Sequence, residues 1–223
     1  MINSCYKVAF KLKERAILQK MESTSSIHIS DKLLGLVVCG GKSSRMGSDK
    51  SMLQYHSKPQ CYHVYDMLES ICDEVLISCN SKQAEFIDPC YPTLSDQSSF
   101  EGIGPMAALL SAYRLYPGAD ILLIGCDYPF LASEELKRFV IGLHRSEPEA
   151  FYNSICSIYE PLLAYYPGPA FESITKMYVV EDYSLQHFLK DQDARKFNPS
   201  SLATIKRIET KEDYLEAVSV IKK

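Results

Sequence analysis

Apolar positions in this chain follow two rhythms. Short unbroken runs at residues 34–39, 74–79 and 120–126 read as strands buried on both faces. Between them, apolar residues recur every three or four positions. Tyr62, Val64, Tyr65, Met67, Leu68 and Ile71 mark a helix over 59–71, with Pro59 near its start, where a missing N–H costs nothing. Met106, Leu109, Leu110 and Tyr113 mark a second helix over 105–116. Ser133 is placed to cap a third, running to about residue 143, with Glu134 and Glu135 favourable in its first turn. Residues 81–87 read as a short helix and 91–94 as a weak strand. Past residue 145 the rhythm fades. There 150–154 and 162–166 read as strands, 171–177 and 185–189 as helices, 202–208 as a last strand and 211–221 as the terminal helix.

Alternating strands and helices over the first 145 residues predict an α/β fold: a three-layer α/β/α arrangement around an open, mostly parallel sheet. Ligands of such sheets bind at the carboxyl ends of the strands. No Pro/Ser linker or internal repeat divides residues 31–223, so they read as one domain. Residues 1–30 stand apart, with Lys7, Lys11, Lys13, Arg15 and Lys20 followed by Ser and Thr at 23–26. The lysines interrupt any apolar stretch a secretory signal would need. An amphipathic helix over 6–21, a disordered extension, and a start at Met21 all fit this segment.

Composition narrows the class of ligand. The 223 residues carry 24 Lys and Arg against 28 Asp and Glu, a formal charge of −4, so no global basic field recruits nucleic acid. Positive charge is local instead, at Lys42, Arg45, Lys50 and Lys58, which suits a small anionic ligand. Eight cysteines stand at 5, 39, 61, 72, 79, 90, 126 and 156 without Cys-x-x-Cys spacing, and they read as reduced thiols of a cytoplasmic protein. No compact Cys/His cluster suggests zinc, and no apolar run reaches transmembrane length. Neither nucleic acid nor membrane is expected as a partner.

The most informative stretch follows the first buried strand. Residues 40–50 read Gly-Gly-Lys-Ser-Ser-Arg-Met-Gly-Ser-Asp-Lys. A strand that opens into a glycine-rich basic loop suits phosphate, because glycine lets backbone N–H groups approach an anion and Lys and Arg neutralise it. The loop is not a P-loop, since no Gly lies five residues before Gly41. Glycines at 40, 41 and 47 also fail the Gly-x-Gly-x-x-Gly dinucleotide spacing. The pattern Gly-Gly-x-Ser-x-Arg-Met-Gly-x-Asp-Lys resembles the signature loop of nucleotidyltransferases. It is most similar to that of the molybdenum cofactor guanylyltransferase family, which joins GMP from GTP to molybdopterin. The resemblance spans about residues 33–217 and is strongest up to 130.

That resemblance implies a Rossmann-like nucleotidyltransferase fold of the glycosyltransferase-A type, with GTP and molybdopterin as substrates and Mg2+ as cofactor. Molybdoenzyme-delivery proteins are implied as partners. It also assigns residues. Cys126-Asp127-Tyr128-Pro129 is similar to the family's Cys-Asp-x-Pro motif, which makes Asp127 the Mg2+ ligand and a catalytic residue. A carboxylate ending the most buried strand suits that task, although a turn or cap before Pro129 would also use an Asp. Arg45 and Lys50 are the catalytic cations, the first able to fork across phosphate oxygens and the second a point charge near the α-phosphate. Cys39, Gly40, Gly41, Lys50, Asn80 and Asp96 are the nucleotide-binding set. Asn80 after the second strand is equally an ordinary turn residue, and Asp96 a loop cap. Cys39 stands where the family has Ala and reads as a buried strand residue rather than a nucleophile. Glu160 replaces the Gln of the family's Gln-Pro-Leu-x-Ala-x-Tyr strand, and Arg207-Ile208-Glu209-Thr210 replaces its Asn-x-Asn-Thr. Three activities stay open on these residues: the guanylyltransferase, a cytidylyltransferase or sugar-phosphate nucleotidyltransferase of the same fold, and a non-catalytic nucleotide-binding relative.

Overall fold

A computed structural model of the chain describes residues 32–39 and 49–222. The first strand, β1 (Leu33–Val38), is buried at all six positions, as its unbroken apolar run requires. It lies parallel between β2 (Glu74–Cys79) and β4 (Asp120–Gly125), with Leu36 opposite Leu76 on one side and Leu123 on the other. β3 (Thr93–Ser95) extends the sheet beyond β2. On the far side β4 pairs antiparallel with β6 (Ile158–Tyr166), which pairs antiparallel with β5 (Glu149–Asn153), and β7 (Arg195–Phe197) closes the edge. The order is β3-β2-β1-β4-β6-β5-β7, with β6 the one reversed strand.

Side chains alternate across this sheet, so each face has its own core. Leu34, Leu36 and Val38 join one core with α3 (Pro105–Leu115), α5 (Ala170–Val179) and α6 (Leu185–Asp191). Leu33, Val37 and Cys39 join the other with α1 (Gln60–Glu69) and α4 (Ser133–Ile141). The expected three layers are therefore present. α3 lies deepest, with every residue from Met106 to Tyr113 buried. Its entry needs Gly104, which sits at φ 68° and ψ −148°, a region closed to residues with a Cβ. Pro105 then takes the first helical position. A small third core of Tyr55, Ile208 and Ala217 holds α7 (Lys211–Ile221) beside the sheet.

The structure corrects three local expectations. Ser133 is not the cap of α4. Ala132 takes that position without a side-chain hydrogen bond, Ser133 is the first helical residue, and the helix ends at Ile141. Residues 202–208 are not a strand. Leu202–Ile205 form a 3-10 turn, started by the Ser201 side chain, which accepts a bond from the Ala203 N–H, and Ile205 and Ile208 enter different cores. The last strand is instead β7, whose Arg195 and Lys196 hide it from any apolar pattern. The proposed helix over 6–21 lies outside the described residues.

Candidate active site

The carboxyl ends of β1, β2, β3 and β4 carry Cys39, Asn80, Asp96 and Asp127 in turn. β4 ends at Gly125, and the chain turns through Cys126 to Asp127. The Asp127 carboxylate folds back over the strand end. A Cβ at position 125 would meet its Oδ1 at 2.7 Å, so glycine there leaves the carboxylate its place. Among the described residues Oδ1 is buried without a hydrogen-bond partner, while Oδ2 accepts a bond of 2.9 Å from Arg207 Nε.

Lys50 opens a 3-10 turn (Lys50–Met52) that Asp49 caps through bonds from the Ser51 N–H and hydroxyl. Lys50 Nζ donates to the Ile208 carbonyl at 2.9 Å, and the Ile208 N–H donates to the Asp127 carbonyl at 3.0 Å. One residue of the segment after the last 3-10 turn, Ile208, thus ties the candidate catalytic lysine to the backbone of Asp127, 77 positions apart in sequence (127 − 50). The second strand of the site is equally well tied. Asn80 and Gln83 form a reciprocal capping box at the start of α2 (Ser81–Ala84). Gln83 Nε2 then reaches the Asp49 carboxylate at 2.7 Å and the Cys39 carbonyl at 3.2 Å. Asn80 Oδ1 is engaged with the Gln83 N–H, so this residue holds the turn as well as the sheet edge.

Asp96 carries a second orphan, its Oδ1 being buried with no partner among the described residues. Burial, helped by Glu101, pushes its carboxyl above the usual range. Glu160 receives the Tyr128 hydroxyl at 2.7 Å, and its burial raises its carboxyl too. Cys39 points inward rather than at the site. The Cys126 thiol bonded beside it, and then burial, push the Cys39 thiol up, and a neutral buried thiol is a poor nucleophile. Gly40, Gly41 and Arg45 lie outside the described residues.

Three functional side chains escaped the sequence reading. Asp49 stands inside the signature loop, so its position was visible though its partner was not. Gln83 follows Asn80 at the spacing of a capping box, a signal that could have been used. Nothing in the sequence links Arg207 to Asp127 across 80 positions.

Whether these residues suit a divalent cation can be judged from Asp127. A buried carboxylate oxygen with no partner among the described residues suits a hard cation, which takes oxygen ligands. Among the described residues no group of three His, Cys, Asp or Glu could form a protein-only cage. A cation here would therefore share its coordination with phosphate oxygens and water, the usual habit of Mg2+.

Comparison with known proteins decides the family. The MobA-like NTP transferase domain matches residues 35–196. The chain belongs to this family. A molybdenum cofactor biosynthesis bifunctional protein of Synechocystis sp. is 28% identical over 212 residues, covering 91% of this chain and 58% of that protein. A molybdenum cofactor guanylyltransferase of Shewanella loihica is 26% identical over 122 residues, covering 54% of this chain and 62% of that protein. The chain spans about three fifths of the length of these curated relatives, 58% and 62%. The crystal structure of molybdopterin-guanine dinucleotide biosynthesis protein A from Archaeoglobus fulgidus superposes with a TM-score of 0.67 at 20% identity, over 85% of this chain and 98% of that one. The Rossmann-like nucleotidyltransferase fold is therefore that of this chain. The MobA-like domain, among its described residues, has no helix long and apolar enough to cross a membrane.

One flank of this MobA-like site should sense pH. His56 Nε2 bonds the Pro129 carbonyl at 3.1 Å, and its ring stacks on His63 with 3.9 Å between centres. Burial, and then the neighbouring His56, lower His63 to about 4 from an ordinary 6.5. Lys58, which is paired with Asp66, also faces this ring, Asp66 opposing the shift and Lys58 favouring it. The unfolded chain takes a proton on His63 as pH drops below 6.5, whereas the folded chain resists until about 4. Stability is thus complete above 6.5 and falls between 6.5 and 4. Solvent screening at this half-buried site holds the loss to roughly 1–2 kcal/mol. Thermal melts from pH 7 to 4 should show a shallower slope for His63→Gln than for the unmodified chain. Equal slopes would mean that His63 titrates normally.

Proposed function

We propose that this chain is a Mg2+-dependent nucleotidyltransferase that moves GMP from GTP to molybdopterin and releases pyrophosphate. Residues 31–223 are its catalytic domain and residues 1–30 an extension, and it works in the cytoplasm with molybdoenzyme-delivery proteins downstream. The observation that carries the reading is the Asp127 carboxylate at the end of β4. Its buried Oδ1 has no partner among the described residues, and its backbone is tied through Ile208 to Lys50. A phosphate oxygen of the acceptor attacks the α-phosphorus of GTP in line. The bond to the bridging oxygen breaks, and pyrophosphate carries off the electron pair. Both reactants are anions, so the chain must position them and offset their charge. Lys50 would act as a point charge near the α-phosphate, and Arg45 in the signature loop would hold the triphosphate. Gly40, Gly41 and the Cys39 end of β1 offer backbone groups to the nucleotide, with Asn80 and Asp96 on its base and ribose side. Asp127 would hold the cation, which when bound offsets phosphate charge and orients the α-phosphate.

The Gly40-Gly41 pair favours guanine over cytosine. A thermal-shift series with the four nucleoside triphosphates and Mg2+ tests this, because a ligand that binds only the folded state raises its melting temperature. GTP with Mg2+ should give the largest shift, and mixing with molybdopterin should then yield pyrophosphate. A larger shift with CTP would move the assignment to a cytidylyltransferase. A GTP shift without pyrophosphate would mark a binding protein without turnover, the reading that the Arg207–Asp127 ion pair would then favour.

A further inference from the structure

Arg207 is the first residue of the four that replace the family's Asn-x-Asn-Thr, and the structure gives it a specific place. Its Nε is 2.9 Å from Asp127 Oδ2, and the contact is single-point rather than the two-point fork that makes arginine–carboxylate pairs hard to break. Its backbone is held from several directions. Lys50 Nζ takes the next carbonyl, the Ile208 N–H binds the Asp127 carbonyl, and Thr210 caps α7 in a reciprocal box with Asp213. Ile208 itself is fully buried. The root of the arginine is thus fixed while its side chain is 45% exposed, against 15% for that of Asp127. A half-exposed guanidinium on a fixed root can exchange partners without any movement of the backbone.

Charge balance says what it would exchange for. A divalent cation on Asp127 would place two positive groups on one carboxylate, so the guanidinium and the cation compete. The acceptor brings a phosphate, which is the anion a guanidinium binds best. We propose that Arg207 is an exchangeable counter-ion of Asp127: it holds the carboxylate in the free protein, and it binds the acceptor's phosphate once Asp127 takes a cation. This rests on the reading of Asp127 as the metal carboxylate.

The two halves of the proposal predict linked binding, which a purely structural ion pair would not give. Mn2+ serves as the metal probe, followed by electron paramagnetic resonance, and glycerol 3-phosphate as the phosphate probe. Arg207→Gln should bind Mn2+ at least about 5-fold more tightly than the unmodified chain, the low end of ordinary coupling between sites. Glycerol 3-phosphate should tighten Mn2+ binding in the unmodified chain and leave it unchanged in Arg207→Gln. Arg207→Lys, which keeps the charge but loses the Nε contact, should fall between the two in Mn2+ affinity. It carries the test if the Gln variant fails to fold. Mn2+ affinity that is unchanged or lower in these variants, while Asp127→Asn binds more weakly still, would overturn the exchange and leave the metal reading standing. Tighter Mn2+ binding without the phosphate effect would overturn the acceptor half. Mn2+ binding that Asp127→Asn does not weaken would overturn both the exchange and the metal reading.

Discussion

Asp127→Asn is expected to abolish metal-dependent nucleotidyl transfer with little change in the melting temperature. The substitution keeps the shape of the side chain over Gly125 and removes its charge. A cation-holding carboxylate acts through several kcal/mol of charge stabilisation, and each 1.36 kcal/mol is a factor of ten in rate. Turnover should therefore drop by about 10³-fold. The fold loses only the bond from Arg207, a residue nearly half exposed and able to turn to solvent. The backbone bond from Ile208 to the Asp127 carbonyl persists whatever the side chain. Initial rates of pyrophosphate release across a Mg2+ series, read beside a thermal melt, separate the outcomes. Most of the activity surviving would show Asp127 to be a turn residue ahead of Pro129, the other use for an Asp in that place.

How much of this was legible from the chain depends on where each element sits. β1 and β4 lie mid-sheet, buried on both faces, so they had to be unbroken apolar runs and were readable as such. α3 is covered on nearly every side and so carries a strong apolar pattern. The half of the sheet beyond β4 obeys weaker rules. β7 is a three-residue edge strand held by pairing to β5, and its Arg195 reaches toward Glu149 instead of offering an apolar signal. Residues 202–208 read as a last strand, but a 3-10 turn stands there, and Ile205 and Ile208 anchor the chain in different cores. α4 begins without a capping side chain because tertiary packing of Leu136 and Phe139 holds it, which overrides the local preference for Ser.

The site divides along the same line. Candidate residues marked by the chain's local order, such as Asp127 at a strand end and Lys50 closing a glycine-rich loop, are visible in the sequence as candidates. The contacts that arrange them are not. Asp49 meets Gln83 across 34 positions, and Lys50 meets Ile208 across 158, both through folding alone. The Arg207–Asp127 pair belongs to the same class, and it sits where the sequence departs from its relatives' motif.

Lys50→Ala should lower kcat by 10²–10³ and change the KM for GTP much less. Its ammonium is held by the Ile208 carbonyl at 2.9 Å, and the N–H of the same residue holds the Asp127 backbone carbonyl. The charge is therefore positioned before the nucleotide arrives and need not be reorganised as the reaction proceeds. A preorganised donor aimed at charge that develops in the transition state is worth about 2.7–4 kcal/mol, and it appears in kcat rather than in ground-state binding. Arg45→Ala, which removes a group expected to grip the triphosphate itself, should raise KM as well, and the two variants can be compared in one series. Lys50→Ala also removes a hydrogen bond that helps anchor residues 207–208, so a stability loss of roughly 0.5–1.5 kcal/mol accompanies it. Lys50→Arg keeps a cation and should restore part of the rate if charge is what matters. Steady-state kinetics with molybdopterin as acceptor, or pyrophosphate exchange without it, give both constants. Should Lys50→Ala and Arg45→Ala both match the unmodified chain, residues 40–50 are a surface turn and the nucleotidyltransferase reading of this site fails.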